Sequence, residues 1–211
     1  MKTVNLLILA VIISQTALAQ NLVRNGNFEQ HAKCPDDFTQ WNVSMEFLPN
    51  WNFPNKGTAD YFNTCGTGNA AVPDNFAGTM LPHSGNAYIG MVLKSLKPNY
   101  REYVQTKLIK PLLKDSIYCM SFFYSFSQYS GFGVKKVGAY FGATELKQLT
   151  DEVLPVESQL TFSINLTNDR KDWIEACVTF KAAGNEQYIT LGNFLNDAKT
   201  EVVPFDNSKL P

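Results

Sequence analysis

Ser116-Ile117-Tyr118-Cys119-Met120-Ser121-Phe122-Phe123-Tyr124-Ser125-Phe126 carries the pattern that decides the fold class. Successive side chains of a β-strand point to opposite faces of a sheet. The even positions here are Tyr118, Met120, Phe122, Tyr124 and Phe126, while the odd ones include Cys119, Ser121 and Ser125. The even face is therefore expected to be the core face. Residues 172–182 repeat the arrangement, with Ile174, Ala176, Val178 and Phe180 against Trp173, Glu175, Cys177, Thr179 and Lys181. Two strands of this kind, each apolar on one side only, call for sheets packed on each other.

Outward from this pair, turn residues punctuate the chain regularly. Strands are expected near 86–94, 101–110, 116–128, 134–142, 159–166, 172–182 and 186–194. Short strands at such spacing indicate a sandwich or a barrel. Aromatic residues make up 13% of the chain, with 15 Phe, 9 Tyr and 3 Trp, which favours strands over helices. The region 21–85 is rich in Asn, Gly, Pro and Asp, and reads as one or two strands among long ordered loops. The tail from Asn196 is polar and holds two prolines, so that either the sheet is complete by 194 or the chain stops short of a closing strand. The expected core includes Phe28, Tyr118, Met120, Phe122, Tyr124, Phe126, Ile174, Val178 and Phe180.

Lys2, the apolar run from Val4 to Ile13 and Ala17-Leu18-Ala19 form a secretory signal over residues 1–19. The apolar run is well short of the roughly 20 residues that span a bilayer, so no transmembrane segment is expected in 20–211, which suffices for a single sandwich domain. With 18 basic and 19 acidic residues and no basic cluster, nucleic acid is excluded as a partner class.

Four cysteines in an exported chain suggest disulfides, with three pairings open. Cys34 and Cys65 both lie in turn-rich sequence, where a bridge would staple a long connection and contribute on the order of 3–4 kcal/mol in the chain-entropy model. Cys119 and Cys177 both lie opposite the core face of their strands. If those strands are antiparallel neighbours the sulfurs meet on the outer surface and can bridge. The alternative is two small residues buried under a loop.

Several segments together resemble a family of exported domains from Gram-negative bacterial surface proteins. Asn21-Leu22-Val23-Arg24-Asn25-Gly26-Asn27-Phe28-Glu29 is similar to the opening of that family and of carbohydrate-binding modules with a galactose-binding-like jelly roll. Ala59-Asp60-Tyr61-Phe62-Asn63-Thr64-Cys65, Ser84-Gly85-Asn86-Ala87-Tyr88-Ile89-Gly90, Tyr100-Arg101-Glu102-Tyr103-Val104-Gln105, Val137-Gly138-Ala139-Tyr140-Phe141 and Tyr188-Ile189-Thr190-Leu191-Gly192-Asn193-Phe194 extend the resemblance over nearly all of 20–211. It implies an all-β antiparallel jelly-roll sandwich of about eight to ten strands. It also implies a place on the cell or outer-membrane surface, outside the cell or in the periplasm. Members of this family often precede a peptidoglycan-binding domain of the outer-membrane-protein-A type or a surface-sorting tail. They carry a closing strand shortly after the position of Asp197. In jelly-roll modules of this kind the acid at the position of Glu29 helps hold a structural calcium, a hard cation that takes carboxylate and backbone oxygens.

No local signature of catalysis is present: Ser84 stands in Pro82-His83-Ser84-Gly85-Asn86 rather than in a nucleophile elbow, and there is no H-E-x-x-H and no phosphate loop. His31 and His83 are the only histidines and read as loop residues. Four widely spaced cysteines do not fit a zinc pattern. A glycosidase would need paired carboxylates about 5–10 Å apart, and the acids here are spread singly, Glu102 being the most notable and the residue on which a hydrolase would rest. Recognition of a glycan or another envelope component remains the leading expectation. It would use aromatic faces that stack on a pyranose with polar groups around them. Tyr100, Arg101, Glu102 and Tyr103 in the family-like motif, and Tyr129 and Phe132 in Tyr129-Ser130-Gly131-Phe132-Gly133, are the candidate contacts. The second expectation is a structural or adhesive surface domain without a small ligand.

Overall fold

The chain pairs its two most clearly alternating segments. In the computed structural model, which describes residues 20–39, 47–167, 170 and 172–206, β7 (Ile117–Tyr124) and β11 (Ile174–Lys181) run antiparallel over eight residues, from Ile174 opposite Tyr124 to Lys181 opposite Ile117. Exposure alternates along both, with the even residues inward and the odd ones out, as the period of two demands. The signal segment 1–19 lies outside the described residues.

Opposite this pair stands a five-stranded antiparallel sheet. Its order is β1 (Trp51–Asn52), β6 (Tyr103–Lys107), β12 (Tyr188–Gly192), β9 (Lys136–Gly142), β10 (Leu160–Ser163). Val137, Ala139, Phe141, Leu160, Phe162 and Ile189 from this sheet meet Tyr118, Met120, Phe122, Val178 and Phe180 from β7 and β11 in the main core. Rings interlock across the layers: Phe122 meets Phe162 edge to face at 4.9 Å, and Phe141 meets Phe180 at 4.7 Å. The molecule is all-β, built of several antiparallel sheets.

The chain crosses between the two layers along two connections that hold each other. Leu108 and Leu112 donate backbone N–H groups to Gln187 and Glu186, Asn185 returns one to Leu112, and Ala182 bonds Ser116. Gly184 (φ 101°) and Asn185 (φ 73°) make the turn, and a Cβ at Gly184 would stand 3.0 Å or less from Lys114. The Glu186 carboxylate accepts from the N–H groups of Ala183 and Gly184, which fixes that turn.

Around this frame lie smaller pieces: β2 (Asp60–Asn63) pairs with β5 (Ala87–Gly90), β3 (Asp74–Asn75) with β4 (Gly78–Thr79), and β8 (Phe132–Val134) with β13 (Val202–Pro204). All seven strands expected from 86 onward are present; each starts later than expected and all but β9 end earlier. Two expectations are corrected. The tail after 194 holds a strand, β13, whose Val202-Val203-Pro204 is too short and too proline-marked to stand out in sequence. The expected core residues of β7 and β11 are only partly buried, because a two-stranded sheet shields its inner face less than the five-stranded sheet opposite, where Phe162 is 1% exposed. Phe28 likewise packs partly buried against a second cluster with Tyr61, Phe47 and Leu48.

Among the described residues no helix is long and apolar enough to cross a membrane.

Candidate functional site

The motif at 100–103 is interior. Arg101 is 0% exposed, Tyr103 0% and Glu102 4%, with Tyr100 half-buried beside them. Arg101 spreads its guanidinium over the carbonyl oxygens of Tyr100 (2.7 Å) and Leu195 (2.7 Å), Asp197 Oδ1 (2.9 Å) and Thr200 Oγ1 (3.1 Å). Asp197 also accepts from the N–H of Asn99 and takes Lys94 at 3.0 Å, which together with Arg101 hold its carboxyl down at about 2. Tyr103 donates to the Asn193 carbonyl at 2.7 Å and accepts from Leu154 N–H, and burial pushes its hydroxyl up to about 12. Glu102 lies 2.6 Å from the Tyr100 hydroxyl and 2.6 Å from Val92 N. Burial is the largest influence on its titration and pushes it up to about 8, against the hydrogen bonds from Tyr100 and Val92. These four side chains tie the start of β6 to the loops at 92, 154 and 193–200. The three buried ones have no exposed face for a ligand. Sequence could not show this, because their partners lie up to 99 positions away.

Glu29 is a clasp. Its two oxygens accept from Asn86 N (2.7 Å) and Asn86 Nδ2 (3.0 Å), pinning the turn at Gly85, where a Cβ would strike the carboxylate at 2.3 Å. Both oxygens are thus engaged by the chain itself. Cys34 and Cys65 form a disulfide. Asp60, pushed up to about 6 by burial, accepts from Thr39 N–H beneath the stapled loop. Cys119 and Cys177 are free thiols on the outer face, Sγ to Sγ 3.0 Å, in diagonal register because Cys119 opposes Thr179 and Cys177 opposes Ser121. Both are exposed, which removes burial under a loop as their role. The contact with Cys119 raises the Cys177 thiol.

Tyr129 is 70% exposed, at the tip of a loop that Ser127 and Gln128 fasten to the β3–β4 hairpin through Ala77 O and Thr79. Phe132 starts β8, is half-buried and lies opposite Pro204.

The surface that combines rings with polar groups is the outer face of β7 and β11. Its cross-strand pairs are Ile117 with Lys181, Cys119 with Thr179, Ser121 with Cys177, and Phe123 with Glu175. At the Phe123 end His83 stacks on the phenyl ring, centroids 3.6 Å apart and planes 14° from parallel. Behind this stack runs a ladder: Trp173 stands edge-on to His83 at 6.3 Å, then Tyr88 at 5.7 Å, Phe62 at 5.0 Å, Phe76 at 5.6 Å and Phe38 at 6.1 Å. Trp173 Nε1 donates to Leu81 O at 2.8 Å and fixes the segment bearing His83. The interior rings set the exposed ones in place. Phe123, His83 and Trp173 were not singled out as contacts by sequence, since residues 40 and 90 apart in the chain share no local pattern; the one available signal was Phe123, a phenylalanine on the polar side of an alternating strand.

Chemically this face offers a rigid ring pair, the Glu175 carboxylate and the Ser121 hydroxyl on one plane, which suits stacking and hydroxyl recognition. Comparison of the chain with family models, curated proteins and solved structures returns no match in any of the three.

Proposed function

We propose that the chain is a non-catalytic binding module of the bacterial cell envelope that holds carbohydrate on the outer face of β7 and β11. The observation that carries this reading is the His83–Phe123 stack beside Glu175, held from behind by Trp173 and exposed in front. A pyranose presents an apolar face to such rings and hydroxyls to the flanking acid. Tyr129 offers a second exposed ring. The jelly-roll assignment is supported by nested pairing: β6 with β12 and β7 with β11, as in a long hairpin rolled over a core. A non-catalytic role is supported by the fate of the two acids most raised in titration, Glu102 and Asp60. Both are enclosed and engaged with chain atoms.

A glycan array, followed by affinity electrophoresis in the polysaccharide that scores, tests the proposal. Retention is expected, with Phe123→Ala and His83→Ala each weakening it at least tenfold while the folded fraction is unchanged. Absence of retention on all envelope and extracellular glycans, or retention indifferent to both variants, overturns it.

A second reading, a structural or adhesive domain, is favoured by one observation. Among the described residues β10 and β11 each pair on one side only, and a groove of about 370 Å³ between them is lined by residues 161–163 and 175–178. An eight-residue edge without proline is a place where an extended strand of an assembly partner adds. Envelope fractionation with crosslinking through this edge separates the two.

A further inference from the structure

The stapled loop carries a third donor. One ligand atom from each of His31, Cys34 and Cys65 lies within 4.8 Å of the others, the one such group of three found among the described residues. The imidazole is oriented for it. His31 Nδ1 sits 3.0 Å from the carbonyl oxygen of Glu29, which can only accept, so Nδ1 is the donor and, in the neutral ring, Nε2 is the nitrogen left to ligate. Nε2 faces Cys65 Sγ at 3.6 Å. A backbone carbonyl on the far nitrogen is how proteins fix the tautomer and angle of a metal-ligating histidine.

We infer that, with the Cys34–Cys65 bond reduced, His31, Cys34 and Cys65 form a three-donor site for a thiophilic cation, zinc(II) being the one the geometry fits. Bonds of about 2.0 Å to nitrogen and 2.3 Å to sulfur at tetrahedral angles give an N···S edge of about 3.5 Å. The existing edge of 3.6 Å already has that length. Rotation about the two Cα–Cβ bonds opens the sulfurs to the S···S edge of about 3.8 Å for the same geometry. The backbone does not depend on the bridge alone to stay in place: Thr67 N–H bonds Pro35 O at 3.0 Å, Asn69 bonds the Asp37 carboxylate at 2.8 Å, and Thr39 N–H bonds Asp60 at 2.7 Å. His31 and Cys34 are exposed, leaving a fourth position to water or an added ligand. A small dithiol supplies the two electrons, becoming a cyclic disulfide as the protein disulfide becomes two thiols. Zinc then displaces both thiol protons to solvent.

The test uses the full chain in a Cys119→Ser/Cys177→Ser background, so that the outer thiols take no metal. After anaerobic reduction and removal of the dithiol, zinc is titrated against a chromogenic chelator, and cobalt(II) reports thiolate ligation by its charge-transfer absorption. One zinc per reduced chain is expected and none for the oxidised chain, with affinity at least tenfold weaker in His31→Ala and uptake lost in Cys34→Ser. Equal uptake by both redox forms, affinity unchanged by His31→Ala, or a loss of the native near-ultraviolet spectrum on reduction that zinc does not restore, overturns the inference.

Discussion

The two layers of the sandwich face each other across one core but differ on every other side. The five-stranded sheet buries Val137, Ala139, Phe141 and Phe162 inward, and its opposite face is covered too, where Tyr103, Tyr140 and Phe194 pack against Leu146, Leu154 and Val156. Among the described residues the two-stranded sheet buries most of its inner residues only in part and leaves its outer face exposed except where His83 stacks on Phe123. The thick sheet and the polar knot around Arg101, Glu102 and Tyr103 hold the molecule, and the thin sheet carries the face on which we propose binding.

Removing the centre of the knot is the strongest way to break this contrast. Arg101→Met strands the Tyr100 carbonyl and takes the buried guanidinium away from the Leu195 carbonyl, Asp197 and Thr200, and is expected to cost about 3–5 kcal/mol in chemical denaturation. A loss below about 1 kcal/mol would mean that the motif is dispensable to the fold.

The next sharpens the contrast within one ring pair. Phe162→Ala, in the thick sheet, should cost about 3–5 kcal/mol, and Phe122→Ala, its partly exposed partner across the core, on the order of 2 kcal/mol. Equal losses would show that the thin sheet is as well shielded as the thick one.

Proton linkage separates the knot from the rest. Glu102 is raised from 4.5 to about 8, so its stabilising contribution is complete below 4.5 and disappears as pH rises through 8. Asp60, raised to about 6, acts in the same direction at lower pH, whereas Asp197, lowered to about 2, contributes above 3.8 and loses its effect as pH falls through 2. Unfolding midpoints should therefore decline between about pH 5 and about pH 9. Glu102→Gln should flatten the upper part of that decline; an unchanged slope would place the proton elsewhere.

The smallest effect is on the thin sheet's outer face. Cys119→Ser/Cys177→Ser should change stability by no more than about 0.5 kcal/mol under reducing conditions. Intact mass after alkylation, with and without reductant, shows whether air oxidation joins the two sulfurs that stand 3.0 Å apart.

The thin sheet was the legible part of the sequence. Its period of two assigned the faces of β7 and β11 and put Cys119 and Cys177 each opposite the core face, because the alternation is local and strong; the pairing of the two strands is what brings the sulfurs together. Residues 100–103 were legible as a motif and misleading as a surface: tyrosines flanking charged residues look like a binding rim until Asp197, Leu195 and Asn193 arrive from the far end of the chain to satisfy them. The His83–Phe123 stack was illegible for the same reason, since only the fold brings a loop residue over a strand 40 positions on. The β3–β4 hairpin and β13 escaped notice because two- and three-residue strands show no periodicity.

Residue-resolved amide hydrogen exchange tests the contrast of the two layers most directly. β12 is bonded on both sides, by β6 and β9, and should be protected at every residue, whereas β11, bonded among the described residues to β7 alone, should show fast and slow amides in alternation from Ile174 to Lys181. Uniform slow exchange along β11 would mean that its open edge is occupied, and would contradict the account.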